Sequence, residues 1–211
     1  MLFLRGVTAT LDLNGHDITA GKSITAESGN TNQVFLIENG AKLTVNGNGN
    51  VNMTTNIVNN TNTSVAIFRN KGDLIINGGN YKAIDESAPV SGAMIIVTIV
   101  DTCLYNGDAV TTINGGEFGL GGGAINLFRN FPTHNSDVTT KLVINDGIFN
   151  KNPEKNTYIW NHQNGASYVS YMEFNGGTYY GIVYEDYFGQ SDITVSDAAV
   201  EGGLLPYSGN N

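Results

Sequence analysis

Carboxylates are the residues of this chain that come nearest to a catalytic pattern. Glycosidic hydrolysis needs two of them about 5–10 Å apart. Lyase chemistry needs several converging on a cation, with an Arg or Lys to take a proton. The local acidic pairs are Asp85-Glu86, Glu185-Asp186, and Asp192 with Asp197. Neighbours at i and i+1 point to opposite faces of a strand, so these pairs read as solvated loop charge. His16, His134 and His162 stand far apart along the chain and suggest no shared metal. No Gly-x-Ser-x-Gly elbow occurs. The stretch GLGGG at 119–123 lacks the strand-to-helix setting of a phosphate loop and reads as a tight corner. Cys103, beside the apolar run Met94 to Val100, reads as a small core residue. No catalytic, cofactor or metal set is assigned, and the expectation is a protein that is not an enzyme.

Two other groups could recognise a partner. Ile67-Phe68-Arg69-Asn70 is echoed 60 residues later by Leu127-Phe128-Arg129-Asn130. The two arginines therefore occupy equivalent places, either contacting an anion or acidic sugar or pairing with loop carboxylates. Aromatic residues form the second group. Ten of the chain's twenty lie between Tyr158 and Phe188. Of these, Phe174 and Tyr179 fall on core positions of the repeat described below. Tyr158, Trp160, Tyr168, Tyr171, Tyr180, Tyr184, Tyr187 and Phe188 have no assigned interior place and are candidates for an interface or for stacking on a glycan. At the other end, Leu2, Phe3 and Leu4 are candidates for docking into a neighbour.

A repeat must position these groups. Short apolar runs end on an Asn in LDLNGHDI, LTVNGNGNV, LIINGGNY, TTINGGEF, LVINDGIF and MEFNGGTY. The anchors are Asn14, Asn46, Asn77, Asn114, Asn145 and Asn175, spaced by 32, 31, 37, 31 and 30 residues. A degenerate copy, ITVSDAAV, puts Ser196 at the anchor after a step of 21. One residue before the anchor come Leu13, Val45, Ile76, Ile113, Ile144, Phe174 and Val195. Three before come Leu11, Leu43, Leu74, Thr111, Leu142, Met172 and Ile193. Between them lie Asp12, Thr44, Ile75, Thr112, Val143, Glu173 and Thr194. This is the period of two that a strand with one buried face requires. Four past the anchor an apolar residue returns as Ile18, Tyr81, Phe118, Phe149, Tyr179 and Val200. The second copy has Asn50 there, with Val51 one late. Earlier strands are expected in VFLIENG, VAIFRNKG, AINLFRN and TYIWNHQ.

No such strand can bury its apolar column alone, but copies stacked one coil apart can. The expected fold is all-β, a right-handed parallel β-helix of about seven coils, with the anchor asparagines stacked in one amide ladder. One domain spans 1–211, and 196–211 form a degenerate last coil and partial C-terminal cap. The outward column offers no acidic pair, since Asp12 and Glu173 stand at opposite ends.

The pattern LDLNGHDIT, followed by copies of apolar-x-apolar-Asn-Gly-Gly-x-aromatic, resembles the pectin-lyase-like right-handed β-helix superfamily. It looks especially like the Asn/Gly-rich members of phage virions and bacterial surfaces. The acidic doublet, Gly-His-Gly and Arg-x-Lys segments of polygalacturonases do not occur. The resemblance implies fold more than function, because this fold hosts lyases, hydrolases, adhesins and spacers.

A net charge of −9 without a Lys/Arg cluster disfavours nucleic acid. No apolar run is long enough to insert in a membrane, and MLFL is too short for a signal-peptide core. Asn52, Asn59 and Asn62 in N-x-S/T read as accidents of an Asn-rich chain. The expected role is a virion component such as a tail, fibre or capsid-surface protein. It would work with other subunits, as a homotrimer or on another virion protein. A carbohydrate-binding or carbohydrate-active protein that meets a surface glycan, and a repeat module at a bacterial surface or secreted, are the alternatives.

Overall fold

The computed structural model describes residues 2–20, 32–55, 65–85, 94–100, 108–122, 126–131, 139–151, 157–161, 170–186 and 192–206. The chain is an all-β parallel solenoid with three faces, here A, B and C. Each circuit adds one strand to each face. The first circuit is β1 (Leu2–Leu4), β2 (Thr8–Asp12) and β3 (Ile18–Ala20). Next come β4 (Asn32–Ile37), β5 (Lys42–Asn46) and β6 (Asn50–Thr55), then β7 (Val65–Asn70), β8 (Asp73–Ile76) and β9 (Asn80–Asp85). They are followed by β10 (Met94–Val100), β11 (Ala109–Ile113) and β12 (Glu117–Gly122), then β13 (Asn126–Phe131), β14 (Thr140–Ile144) and β15 (Ile148–Phe149). Further on lie β16 (Thr157–Asn161), β17 (Ser170–Phe174) and β18 (Thr178–Tyr179). The chain closes with β19 (Ile182–Asp186), β20 (Asp192–Val195), the helix α1 (Asp197–Glu201) and β21 (Leu205–Pro206). All pairings are parallel, between strands one circuit apart, in sheets of eight, seven and six strands.

Face B follows the repeat from the second circuit onward. Val45, Ile76, Ile113, Ile144, Phe174 and Val195 are successive Cα partners. Leu43, Leu74, Thr111, Leu142, Met172 and Ile193 form the second inward column. From Val45 to Phe174 the first column has no solvent exposure. Val51, Tyr81, Phe118, Phe149 and Tyr179 stack on face C, so Val51 holds its place despite arriving one residue late. The rings of Tyr81, Phe118, Phe149 and Tyr179 lie parallel at centroid spacings of 5.0, 5.3 and 4.8 Å. That is about the 4.8 Å step between strands, so each ring sits flat on the one below.

Stacking rings this closely leaves no room at the corner before them. Gly116 has φ +116°, and a Cβ there would stand 2.9 Å from the Gly79 carbonyl oxygen. Face A bends instead of turning on a glycine. The ladder skips Ile67 and Ile96 in β7 and β10, and consecutive residues such as Ile67 and Phe68 both face the core.

Three expectations are corrected. In the first circuit Leu11 pairs with Val45 and Asp12 with Asn46, a shift of two residues from the Asn14 alignment. Leu13 folds inward instead, 2% exposed, with its Cδ1 close under Gly79. Val200 is 56% exposed on α1, and Ala199 takes the buried place. The glycines from 119 to 122 lie in the extended strand β12, not in a corner. Cys103 lies outside the described residues.

Candidate functional site

The anchor asparagines build the most regular polar feature. Nδ2 of Asn77, Asn114, Asn145 and Asn175 each donates to Oδ1 of the anchor one circuit earlier, at 2.8, 2.8, 2.8 and 2.9 Å. Every rung points its donor toward the N-terminal end. A carboxylate suits the last position in that direction, because it only accepts. Asp12 holds that register position and accepts from Asn14 N at 3.0 Å. A shorter ladder runs Asn80 to Asn50 to Asp17, whose Oδ1 accepts both Nδ2 and N of Asn50. At the other end Ser196 Oγ donates to the Asn175 carbonyl at 2.9 Å and caps α1 by accepting from Ala199 N at 3.2 Å.

Sequence reasoning missed a third set of amides. Asn70, Asn130 and Asn150 are buried. Asn70 Nδ2 donates to the Val110 carbonyl and to Thr111 Oγ1, at 2.8 and 2.9 Å, while its Oδ1 accepts from Gly72 N. The repeated Arg-Asn echo signals Asn70 and Asn130, whereas Asn150 follows Phe149 and carries no such signal.

Those arginines share one register row of face A, where the Cα partners run Phe3, Leu36, Arg69, Thr98, Arg129, Trp160 and Glu185. Both are half-buried. Desolvation lowers Arg69 against the opposing pull of Glu38, and holds Arg129 down to about 10. At about 10, Arg129 stays charged near neutrality. Tyr158 lies two residues before Trp160, on the same outward side of β16.

The remaining predicted aromatics do not converge. Tyr171 is on the outer side of face B and Tyr180 is an exposed corner residue, 41% accessible. Tyr184 turns inward, in the column of Phe128 and Ile159, with its ring 5.5 Å from Phe174. Tyr168, Tyr187 and Phe188 lie outside the described residues. Of the docking residues, Leu2 and Phe3 are 45% and 50% exposed, whereas Leu4 is buried in the core.

Face C carries a shallow groove of about 260 Å³. Its floor is the backbone of Gly119 and Gly121, which pair with Lys82 and Ile84 of β9. Asn52, Asn80, Lys82, Glu117 and Lys151 rim it. Lys151 Nζ and Glu117 Oε2 stand 3.6 Å apart with both side chains well exposed, a weak and screened pair.

Of the acidic pairs, only Asp192 and Asp197 have both side chains among the described ones. Asp192 is exposed on β20 and Asp197 is exposed in the first turn of α1. Glu86, His134 and His162 lie outside the described residues, and His16 is exposed. Among the described residues no three His, Cys, Asp or Glu side chains could jointly hold a metal. Among the described residues no helix is long and apolar enough to cross a membrane. No family model, no curated protein and no solved structure matches the chain.

Proposed function

We propose that this chain is a non-enzymatic structural or adhesive solenoid of the pectin-lyase-like kind, a virion tail, fibre or capsid-surface component that works within an assembly. The carrying observation is the regular stacking of the solenoid, with exposed Leu2 and Phe3 on β1. The last circuit is closed by α1, which buries Ala199 and precedes the buried Leu204. Tyr179 N also donates to the Gly202 carbonyl there, at 2.7 Å. In the first circuit β1, β2 and β3 each pair on one side only among the described residues, and Leu2 and Phe3 stand exposed. Exposed apolar side chains such as these suit contact with a second surface.

The interior supports a load-carrying part more than a reaction vessel. Aliphatic columns and stacked rings fill it, and the amide ladder runs along an exposed corner. The first test is chemical. Incubation with uronic-acid polymers and capsular polysaccharides should release no new reducing ends and no unsaturated products. Robust turnover would overturn the proposal and make Glu185, Asp186, Asp192 and Asp197 the first residues to substitute.

A further inference from the structure

An asparagine followed by glycine can modify itself. The glycine nitrogen attacks the asparagine Cγ, an N–Cγ bond forms, and the Cγ–Nδ2 bond breaks as ammonia leaves with the glycine amide proton. Water then opens the cyclic imide. Cleavage at Cγ gives aspartate, and cleavage at the main-chain carbonyl gives isoaspartate. Glycine favours the step because it has no Cβ to shield its nitrogen or restrict its backbone. The asparagine side chain must also be free to swing over that nitrogen. The Asn-Gly steps of this chain differ in both freedoms. Asn77, Asn114 and Asn175 each donate Nδ2 to the anchor one circuit earlier, and Asn77 and Asn114 also accept from the next. The glycines after them are only half-exposed, and a Cβ on Gly78 or Gly176 would stand 2.6 or 2.7 Å from a carbonyl oxygen of the preceding circuit. Asn46 accepts from Asn77 and is half-buried, as is Asn39. Asn48 is exposed, but Gly49 is buried against the His16 carbonyl. Asn106 and Asn164 lie outside the described residues.

Asn14-Gly15 is different. Among the described residues it is the Asn-Gly step with both members exposed. The two-residue shift of the first circuit leaves Asn14 off the ladder, because Asp12 takes the place opposite Asn46. Its backbone N donates to Asp12, and among the described residues no hydrogen bond holds its side-chain amide. A Cβ on Gly15 would meet Asn48 Oδ1 at 3.7 Å, an ordinary contact, so the Gly15 backbone is not clamped as Gly49 is. We propose that Asn14 is a site of spontaneous deamidation and isoaspartate formation, and that the amide ladder protects the other anchors from the same reaction. The product sets a new carboxylate beside Asp12, at the end where the shorter ladder also stops on Asp17. Its isoaspartyl form adds a methylene to the main chain within the turn that His16 N closes on the Leu13 carbonyl at 2.7 Å. The first circuit thus carries a slow, charge-adding modification of its own.

This chemistry does not depend on the assembly reading. Peptide mapping by mass spectrometry tests it on the full folded chain, held in mildly alkaline buffer and sampled over time. Enzymatic methylation of isoaspartate marks the second product. Asn14 should convert about tenfold or more faster than Asn77, Asn114 and Asn175. In urea, with the ladder gone, the four sites should convert at comparable rates. Asn145→Ala removes the acceptor of Asn175 and the donor to Asn114. Conversion at those two sites should rise severalfold in that variant, with Asn14 unchanged. Equal rates at Asn14 and the ladder sites in the folded chain would overturn the proposal. So would an Asn14 that survives in the folded chain and converts only in urea. A preference for Asn14 that persists in urea would also overturn it, since adjacent sequence and not the fold would then set the rate. Ladder sites indifferent to Asn145→Ala would remove the protective role of the ladder.

Discussion

At the scale of single residues, the two sides of face B separate burial from mere apolarity. Ile113 stacks between Ile76 and Ile144 with no exposure, whereas Ile75 points outward and is only half-buried. Ile113→Ala should cost about 2–5 kcal/mol. Ile75→Ala should cost much less, and urea denaturation of the two variants compares them directly. Both isoleucines were legible from the period of two, because a strand's alternation is local and needs no knowledge of the partner strand. The tyrosines at the ends of the ring stack make a pH prediction. Burial raises the pKa of Tyr81 and of Tyr179, with Asp146 adding to the second. Each hydroxyl donates to a corner carbonyl, Gly78 or Gly176, at 2.7 and 2.6 Å. The raised folded pKa means the neutral form is favoured. This contribution is complete below the ordinary tyrosine value of about 10 and is lost as pH rises through the folded value. Unfolding free energy should therefore decline with pH above about 10. Absorbance at 295 nm should show two tyrosines ionising only with unfolding. Their prompt ionisation in the folded protein would contradict the stack.

At the scale of elements, the terminal helix is the test of how the solenoid stops. Ser196 serves two roles with one hydroxyl, donating to the Asn175 carbonyl and receiving Ala199 N. It thus ties the end of the long ladder to the first turn of α1. Ser196→Ala should lose about 1–2 kcal/mol, while Ser196→Thr, which keeps the hydroxyl, should lose little. Hydrogen exchange of the Gly202 and Leu204 amides, which bond Ala198 and Ala199, should speed up in the alanine variant and stay slow in the threonine one. Equal exchange in all three would show that the helix is held by packing alone. The repeat places Val200 in the apolar column of a degenerate last coil, because five residues are too few for a helical period to show. The first circuit misled for a related reason. LDLNGH presents Asp12 and Asn14 two residues apart, both with the right side chain for a corner. The choice between them is made by the neighbouring circuit, where Asn46 takes Asp12 as partner. The glycine strip of β12 was read as a corner because glycine signals turns on average. Only its pairing with Lys82 to Asp85 shows it extended.

At the scale of the molecule, ladders and columns have a direction, and the two ends differ because of it. Both amide ladders terminate toward the first circuit on an aspartate, Asp12 by register and Asp17 by hydrogen bond. Another coil continuing the same order would set the carbonyl oxygen of its own rung against these carboxylates, with no donor between them. In-register growth from this end is therefore disfavoured, which is how an exposed stack avoids indefinite fibres. Yet the same end leaves Ala9, Leu11, Ile18 and Ala20 only partly buried against the core, beside exposed Leu2 and Phe3. A surface that rejects copies of its own repeat but retains apolar area suits a dissimilar partner surface or a side-by-side contact through Leu2 and Phe3. Such burial contributes roughly 25 cal/mol per Å² of apolar area removed from water. Analytical ultracentrifugation at micromolar concentration should accordingly find the isolated chain in species heavier than its 22.5 kDa. Leu2→Ser with Phe3→Ser should return it to monomer. Leu4 is left untouched, since it is buried and its loss would unfold the first circuit. Circular dichroism and Tm of the double variant should match the parent, because both replaced side chains are about half exposed. A stable monomer in the parent chain, unchanged by the substitutions, would remove the open end as an assembly surface.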